Sequence, residues 1–337
     1  MSNPTDTAIG GVRLESPLGI APMAGMTDTA FRRLVKRQGG CGLVVTEMVS
    51  SEGLVRGIDR TLEYAEYTEE ERPVSVQIFG GDPEKMAAAA RIVEGMGADI
   101  VDVNMGCPVP KIAKHNAGCS LMREPAHAAS VIAAMTKAVK IPVTVKMRAG
   151  WNDDERNAPA LARMVEDAGA SAVTVHGRTA AQSYSGSADW DLVARIADDL
   201  AIPVFGSGDC VEPEQITARL RSGVEGVVVG RGVLRNPWIL AQAADIMAGR
   251  TAREVTMGDR GRFLLDYIEL LTAERIDEAR AMTHDRWVIN KMRALGAYFT
   301  KGLDNGSHLR TAINTCESLS ALRDTVAQFF DVALVGA

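Results

Sequence analysis

Short apolar runs alternate along the chain with longer stretches in which apolar residues return every three or four positions. Eight runs are nearly free of polar residues: Leu18 to Pro22, Gly42 to Thr46, Val74 to Phe79, Ile100 to Val103, Val143 to Met147, Ala172 to Val175, Val204 to Gly206 and Gly226 to Val229. Such runs fit strands of a parallel sheet covered on both faces. Amphipathic or Ala-rich segments fill most gaps: Thr29 to Arg37, Pro83 to Met96, Pro125 to Val139, Ala158 to Ala168, Trp190 to Asp198 and Pro213 to Ser222. Eight β units alternating with helices over about 230 residues predict an α/β fold, a closed (β/α)8 barrel of the TIM type. An open doubly wound sheet is the competing architecture; no G-x-G-x-x-G follows the first strand to support it.

Near Asn236 and Pro237 the pattern changes. From Arg260 to Phe330 only helical periodicity remains, over Phe263 to Ala273, Arg286 to Tyr298 and Leu319 to Phe330, punctuated by Gly296, Gly302 and Gly306. This predicts a small C-terminal all-helical domain, joined to the barrel through the polar stretch Ala248 to Asp259. The expected division is residues 1–247 and 248–337.

Composition narrows the class. Hydrophobic residues make up 46% and charged residues 24% of the chain, ordinary for a soluble globular protein. The formal charge of −6 gives no global basic field for a nucleic-acid partner. From Arg250 onward, however, Lys+Arg and Asp+Glu balance, so this part repels phosphates less than the rest. Five cysteines without a C-x-x-C pair argue for a reducing compartment and against a disulfide framework. There is no basic and apolar leader pattern, and no run approaches the roughly 18 apolar residues of a membrane span. The expectation is a cytoplasmic protein with no membrane contact.

The candidate chemistry sits at strand ends. Just past the fourth strand the chain turns through Asn104, Met105, Gly106, Cys107 and Pro108, placing an amide and a thiol where barrels keep their active sites. Gly206-Ser207-Gly208-Asp209 follows the seventh strand and Gly230-Arg231-Gly232 follows the eighth. Loops at these two positions commonly bind phosphate through backbone N–H groups, here with Arg231 as a cation. The anion belongs to a substrate or to a flavin mononucleotide. Lys146 lies near the end of the fifth strand, either as a surface residue or as a cation facing a reduced cofactor or an enolate. Gln77, in an apolar strand, is a core hydrogen bonder or reads the edge of a heterocycle. His176 and Arg178 follow the sixth strand, and Tyr184 offers a stacking surface or a packed loop aromatic. Cys107 and Cys119 with His115 between them form no recognised zinc set; no metal is expected.

Taken together, Pro22-Met23-Ala24-Gly25-Met26-Thr27-Asp28, Gln77, Asn104 to Pro108, Lys146-Met147-Arg148, His176-Gly177-Arg178-Thr179, Gly206 to Asp209 and Gly230 to Gly232 strongly resemble the tRNA-dihydrouridine synthases, in particular their bacterial B-type branch. The resemblance spans about Leu18 to Phe330. It implies a tightly bound FMN, NADPH as reductant, and reduction of the uracil C5=C6 bond of a D-loop uridine in tRNA. Pro22, Met23, Ala24, Gln77 and Lys146 would surround the flavin ring; His176, Ser207, Gly208, Asp209, Gly230 and Arg231 would hold the rest of the FMN and its phosphate. Asn104 and Arg178 would face the uracil, with Tyr184 as a further substrate contact, and Cys107 would protonate C5. A thiol with a pKa near about 8.5 is mostly protonated at neutral pH and suits an acid's role. The helical domain would hold tRNA through Arg286, Lys291, Arg293, Lys301 and Arg310, although a solvated helix face reads the same way. The enzyme is read as a monomer that does not act on DNA. A flavin-dependent reductase of a small pyrimidine-like substrate is the alternative, and it would not need the helical domain.

Overall fold

The computed structural model describes residues 7–113, 116–274 and 282–334. It begins with a hairpin, β1 (Ala8–Ile9) and β2 (Val12–Arg13). A parallel sheet follows, made of β3 (Leu18–Ile20), β4 (Val44–Val45), β5 (Val49–Ser50), β6 (Val74–Phe79), β7 (Ile100–Met105), β8 (Val143–Arg148), β9 (Ala172–His176), β10 (Val204–Ser207) and β11 (Gly226–Val229). The neighbours run β3-β11-β10-β9-β8-β7-β6-β4, and a parallel bridge from Gly19 to Leu43 joins the two ends. The sheet is therefore a closed (β/α)8 barrel, and each of the eight apolar runs supplies one of its staves. The second stave is interrupted after β4, where the Thr46 hydroxyl accepts the Gln77 N–H at 3.1 Å, and β5 then resumes pairing with β6.

The strands take this form because both faces are covered. All six residues of β7 are buried, including Asp102 and Asn104. Their outward side chains meet amphipathic helices that start on acidic caps: Asp28 for Thr29–Gln38, Asp82 for Pro83–Gly95 and Asp189 for Trp190–Asp199. Inside the barrel, Ile9 of the hairpin packs with Ile100, Ala172, Phe205 and Val228. Ile100 and Ala172 are the first residues of their strands, so the hairpin stoppers the N-terminal end and leaves the opposite end for chemistry.

After β11 come the helices Arg231–Arg235 and Ile239–Met247, then Met257–Ala273, His284–Phe299, Gly306–Thr315 and Leu319–Phe330. Two details depart from expectation. Thr256 and Asp259 form a capping box that starts the first long helix at Met257, inside the stretch expected to be a linker. Gly306, expected to break the chain, opens a helix instead; Asn305 before it takes the left-handed conformation at φ 57°. The C-terminal helices share the barrel's hydrophobic core. Phe31 meets Phe263 and Tyr267 edge-on at 6.1 and 6.2 Å, and Phe263 stacks on Phe299 at 5.8 Å. No described helix is long and apolar enough to cross a membrane.

Candidate active site

The C-terminal ends of the barrel strands surround a cavity of about 510 Å³, within the usual size of small-molecule sites. All of the residues expected to hold a cofactor line it, as do Asn104, Cys107 and Tyr184.

Its floor is a polar chain. Thr144 donates to Asp102 Oδ1 at 2.6 Å, Gln77 Nε2 donates to Asp102 Oδ2 at 2.7 Å, and Asn104 Nδ2 donates to Gln77 Oε1 at 2.8 Å. Asn104 Oδ1 in turn accepts the backbone N–H of Gly106 at 3.1 Å and of Cys107 at 2.9 Å. Both lone pairs of Asn104 Oδ1 are thus used, and Asn104 Nδ2 also points at Met48 Sδ, 3.7 Å away, a weak acceptor that a carbonyl oxygen can replace.

Cys107 stands half-buried at the end of this chain. Its carbonyl accepts the Cys119 N–H at 3.1 Å. A Cβ at Gly118 would lie 2.7 Å from that carbonyl and φ is 60°, so only glycine fits beneath the thiol's loop. Burial pushes the Cys107 thiol up, against the pull of the Val109 backbone and Arg148. It is a protonated group at neutral pH, able to give a proton. The other four cysteines are buried. His115 lies outside the described residues.

Lys146 reaches the cavity from β8 with no hydrogen bond or ion pair among the described residues. Burial, reinforced by the nearby Arg148 charge, lowers its ammonium to about 8, with Asp102 opposing. His176 is pushed far down, by burial first and then by the charges of Lys146, Arg148, Arg178 and Arg231, so it is neutral. Gly208 comes close to it: at φ 120°, a Cβ there would meet His176 Cδ2 at 2.9 Å and Ala188 at 2.7 Å. The Asp209 carboxylate takes the Ala188 N–H at 2.7 Å and Arg178 Nη2 at 2.7 Å. At the rim Arg231 stacks on Tyr184, 4.1 Å from the ring centre.

Arg178, expected to face a substrate, is not among the lining residues. Its guanidinium is buried and ties Ser185 O (3.0 Å), Gly186 O (2.6 Å) and Asp209 together, fixing one loop to another. Arg148, part of the Lys146-Met147-Arg148 motif, has no role assigned to it from the sequence. It lines the cavity, two positions beyond Lys146 and hence on the same face of β8. It donates to Gly106 O at 2.8 Å and to Thr179 O and Ser183 O at 3.0 Å each, so it binds the Cys107 loop to the Tyr184 loop. Tyr298 was also missed as a wall: it reaches the cavity from the helix His284–Phe299.

The basic residues of the C-terminal helices divide. Arg286 and Lys301 are exposed. Lys291 is not the surface cation expected: its side chain is 13% exposed, and its ammonium sits 3.0 Å from Asp28 Oδ2, 3.5 Å from Glu47 Oε1 and 3.3 Å from Gly25 O. Glu47 Oε2 accepts the Gly25 N–H at 2.5 Å and Tyr267 donates to Asp28 at 2.8 Å. This seam fixes the turn whose Pro22, Met23, Ala24 and Met26 line the cavity. Arg293 is likewise turned inward, bonding Asn314 O at 2.8 Å and Cys316 O at 3.0 Å, and Arg310 donates to Thr300 at 3.0 Å. Helical periodicity cannot tell an inward cation from an outward one when its acidic partners, Asp28 and Glu47, lie more than 200 residues earlier.

Comparison with known proteins agrees with this arrangement. The family model Dihydrouridine synthase (Dus) matches residues 19–333. A probable tRNA-dihydrouridine synthase of Rickettsia conorii is 36% identical, covering 96% of each chain. One of Rhodobacter capsulatus is 42% identical over 74% of this chain and 78% of its own. The tRNA-dihydrouridine synthase B of Xanthomonas axonopodis pv. citri is 35% identical over 97% of each. From the match of the family model over nearly the whole barrel and the helices beyond it, the chain belongs to the dihydrouridine synthase family.

Proposed function

We propose that this protein is a tRNA-dihydrouridine synthase, an FMN-dependent oxidoreductase that uses NADPH to reduce a D-loop uridine of tRNA to 5,6-dihydrouridine and works as a monomer. The observation that carries the reading is a protonated, half-buried thiol sharing one cavity with an unpaired lysine and two glycine-bearing loops.

The residues present fit a flavin mononucleotide. The backbone of Ser207, Gly208 and Gly230 and the Arg231 cation would take the phosphate. The turn Pro22 to Ala24 would lie against the ring, with Gln77 and Lys146 at its polar edge. When bound, the flavin supplies the hydride that saturates the uracil C6, after reduction by NADPH. The protein's own contribution is to hold the base and deliver a proton. Asn104 offers an N–H to a carbonyl oxygen of uracil, and Cys107 gives its Sγ proton to C5 on the face opposite the hydride. Burial keeps that proton on sulfur until it is needed. Lys146, as an ammonium, offsets the negative charge that develops beside it.

A uridine must leave its stack to enter the cavity, at a cost of a few kcal/mol. The exposed Arg286 and Lys301 would hold RNA phosphates outside. Because Tyr298 lines the cavity from the helical region, that region borders the active site. This favours tRNA over a small free pyrimidine, for which the helices would be dispensable.

The test is anaerobic turnover of dihydrouridine-free tRNA with NADPH, scored by mass spectrometry beside Cys107→Ala. The parent makes dihydrouridine, while the variant keeps flavin and makes none. Normal product from Cys107→Ala would remove the acid, and product from free pyrimidine alone would replace the substrate.

A further inference from the structure

Asp102 is a carboxylate in the interior of the barrel, 5% exposed. No cation lies within ion-pair distance of it among the described residues. Burial pushes its carboxyl up, opposed by hydrogen bonds from Thr144 and Gln77 and by the Lys146 charge. A charge buried without an ionic partner carries an uncompensated desolvation cost, so the charge itself gives no reason to keep it there. Its hydrogen bonds do.

From Asp102 the chain runs through two carboxamides, Gln77 and Asn104, to the backbone of Cys107. A carboxamide has an oxygen end and a nitrogen end of nearly the same shape, and either can point either way. Its two termini are not ambiguous. Asp102 accepts through both oxygens, from Thr144 and from Gln77, and the N–H groups of Gly106 and Cys107 only donate. Of the four ways to orient two amides, one satisfies every link: Gln77 gives N–H to Asp102 and accepts from Asn104, which then accepts from the two backbone groups. Gln77 is wholly buried. Without an acceptor at 102 its N–H would be left unpaired, and it must turn to recover a partner. Turning it withdraws the acceptor from Asn104, and with that the clamp on the Cys107 backbone.

We propose that Asp102 is a positioning residue which, through Gln77 and Asn104, holds the Cys107 loop in place and keeps the Asn104 amide presenting N–H to the cavity. This rests on reading Cys107 as the proton donor. It adds that the donor's position is set three links away, by a residue that does not touch the substrate.

Alkylation of Cys107 by iodoacetamide tests the chain without substrate or reductant. The rate is read by peptide mass spectrometry on the purified full-length protein, with melting temperature measured alongside. The four buried cysteines serve as internal references. Asp102→Leu removes both acceptor and charge and leaves the Gln77 N–H and the Thr144 hydroxyl without their partner, so the melting temperature falls and Cys107 in the folded protein is alkylated about fivefold faster or more. Asp102→Asn removes only the charge. Its Oδ1 still accepts from Gln77 while its Nδ2 donates to Thr144, so the rate stays within about twofold of the parent. Gln77→Met cuts the same chain one link nearer the thiol and matches Asp102→Leu, which keeps the test decisive should the leucine variant not fold. Equal rates in the asparagine and leucine variants would mean that charge alone acts on the thiol, and parental rates in Asp102→Leu or Gln77→Met would mean that the chain holds nothing; either overturns the proposal. A parent that makes no dihydrouridine, with the expected order of alkylation rates, would sink the proposed function and leave the positioning of Cys107 standing.

Discussion

Two polar clusters flank the turn from Pro22 to Asp28. At the barrel mouth, Asp102, Gln77, Asn104 and Cys107 form an open-ended series, with Lys146 beside them unpaired among the described residues. At the seam with the C-terminal helices, Lys291, Asp28, Glu47 and Tyr267 close on one another and on the Gly25 backbone. Both clusters are buried and both cost desolvation. The seam recovers that cost within the protein, and the mouth leaves donors to be satisfied by something that arrives. Buried polar groups therefore separate into those that pair within the protein and those, like Lys146, that have no partner among the described residues.

Substitutions should split along the same line. The largest effect is expected from Asn104→Ala, which frees the loop backbone and removes an N–H from the cavity. Turnover per bound flavin falls about a thousandfold, while urea denaturation shows a stability loss of only about 1 kcal/mol. A stability loss that accounts for the whole defect would erase the distinction. Lys291→Met is expected to do the reverse. It leaves Asp28 and Glu47 facing each other without a cation and costs about 3 kcal/mol of stability. The fraction that stays folded and loaded keeps turnover within about threefold when measured at low temperature.

Glu274 sharpens the picture through pH. Its carboxylate accepts the Ala30 N–H at 3.1 Å, and its carboxyl is pushed up from the ordinary 4.5 to about 7, by burial first and then by the Asp28 charge. A carboxyl whose folded pKa is raised binds protons more readily in the native state. Its contribution to stability is therefore complete below about 4.5 and is lost as pH rises through about 7. Glu274→Gln should flatten that slope and make the protein about 1 kcal/mol more stable than the parent at pH 8, as followed by denaturation across pH 4 to 8. The smallest effect is assigned to the exposed Lys301. Lys301→Ala should raise the KM for tRNA two- to threefold and reduce the salt dependence of binding by about one ion, with kcat unchanged.

Much of this was legible in the sequence wherever a local pattern decides the outcome. The eight staves were readable because a strand buried on both faces has few polar positions to confuse it. The cavity's glycines and its Asn104-to-Cys107 turn were readable because they follow those strands at once. Asp102 was visible as an interruption in an apolar run, but its partners Gln77 and Thr144 belong to the strands on either side, and only barrel closure brings all three together. Lys291 and Arg178 misled for the same reason: a basic residue beside aromatics or at a strand end looks available until its distant carboxylates, Asp28, Glu47 and Asp209, are in place. The helix Gly306–Thr315 was missed because its start depends on Asn305 taking a left-handed turn, which residue identity permits without requiring.

The closing bridge between Gly19 and Leu43, and the pairing of β3 with β11 on its other side, set a timetable for synthesis. One edge of β3 can be covered early, by residues made just after it. The other waits for β11, about 200 residues later, which at ribosomal speeds of about 5–20 residues per second is roughly 10 to 40 seconds. Through that interval the newborn chain carries an open, apolar strand edge of the kind that recruits other strands. The barrel's last stave thus ends a period of exposure in which the nascent protein depends on its surroundings to stay apart from its neighbours.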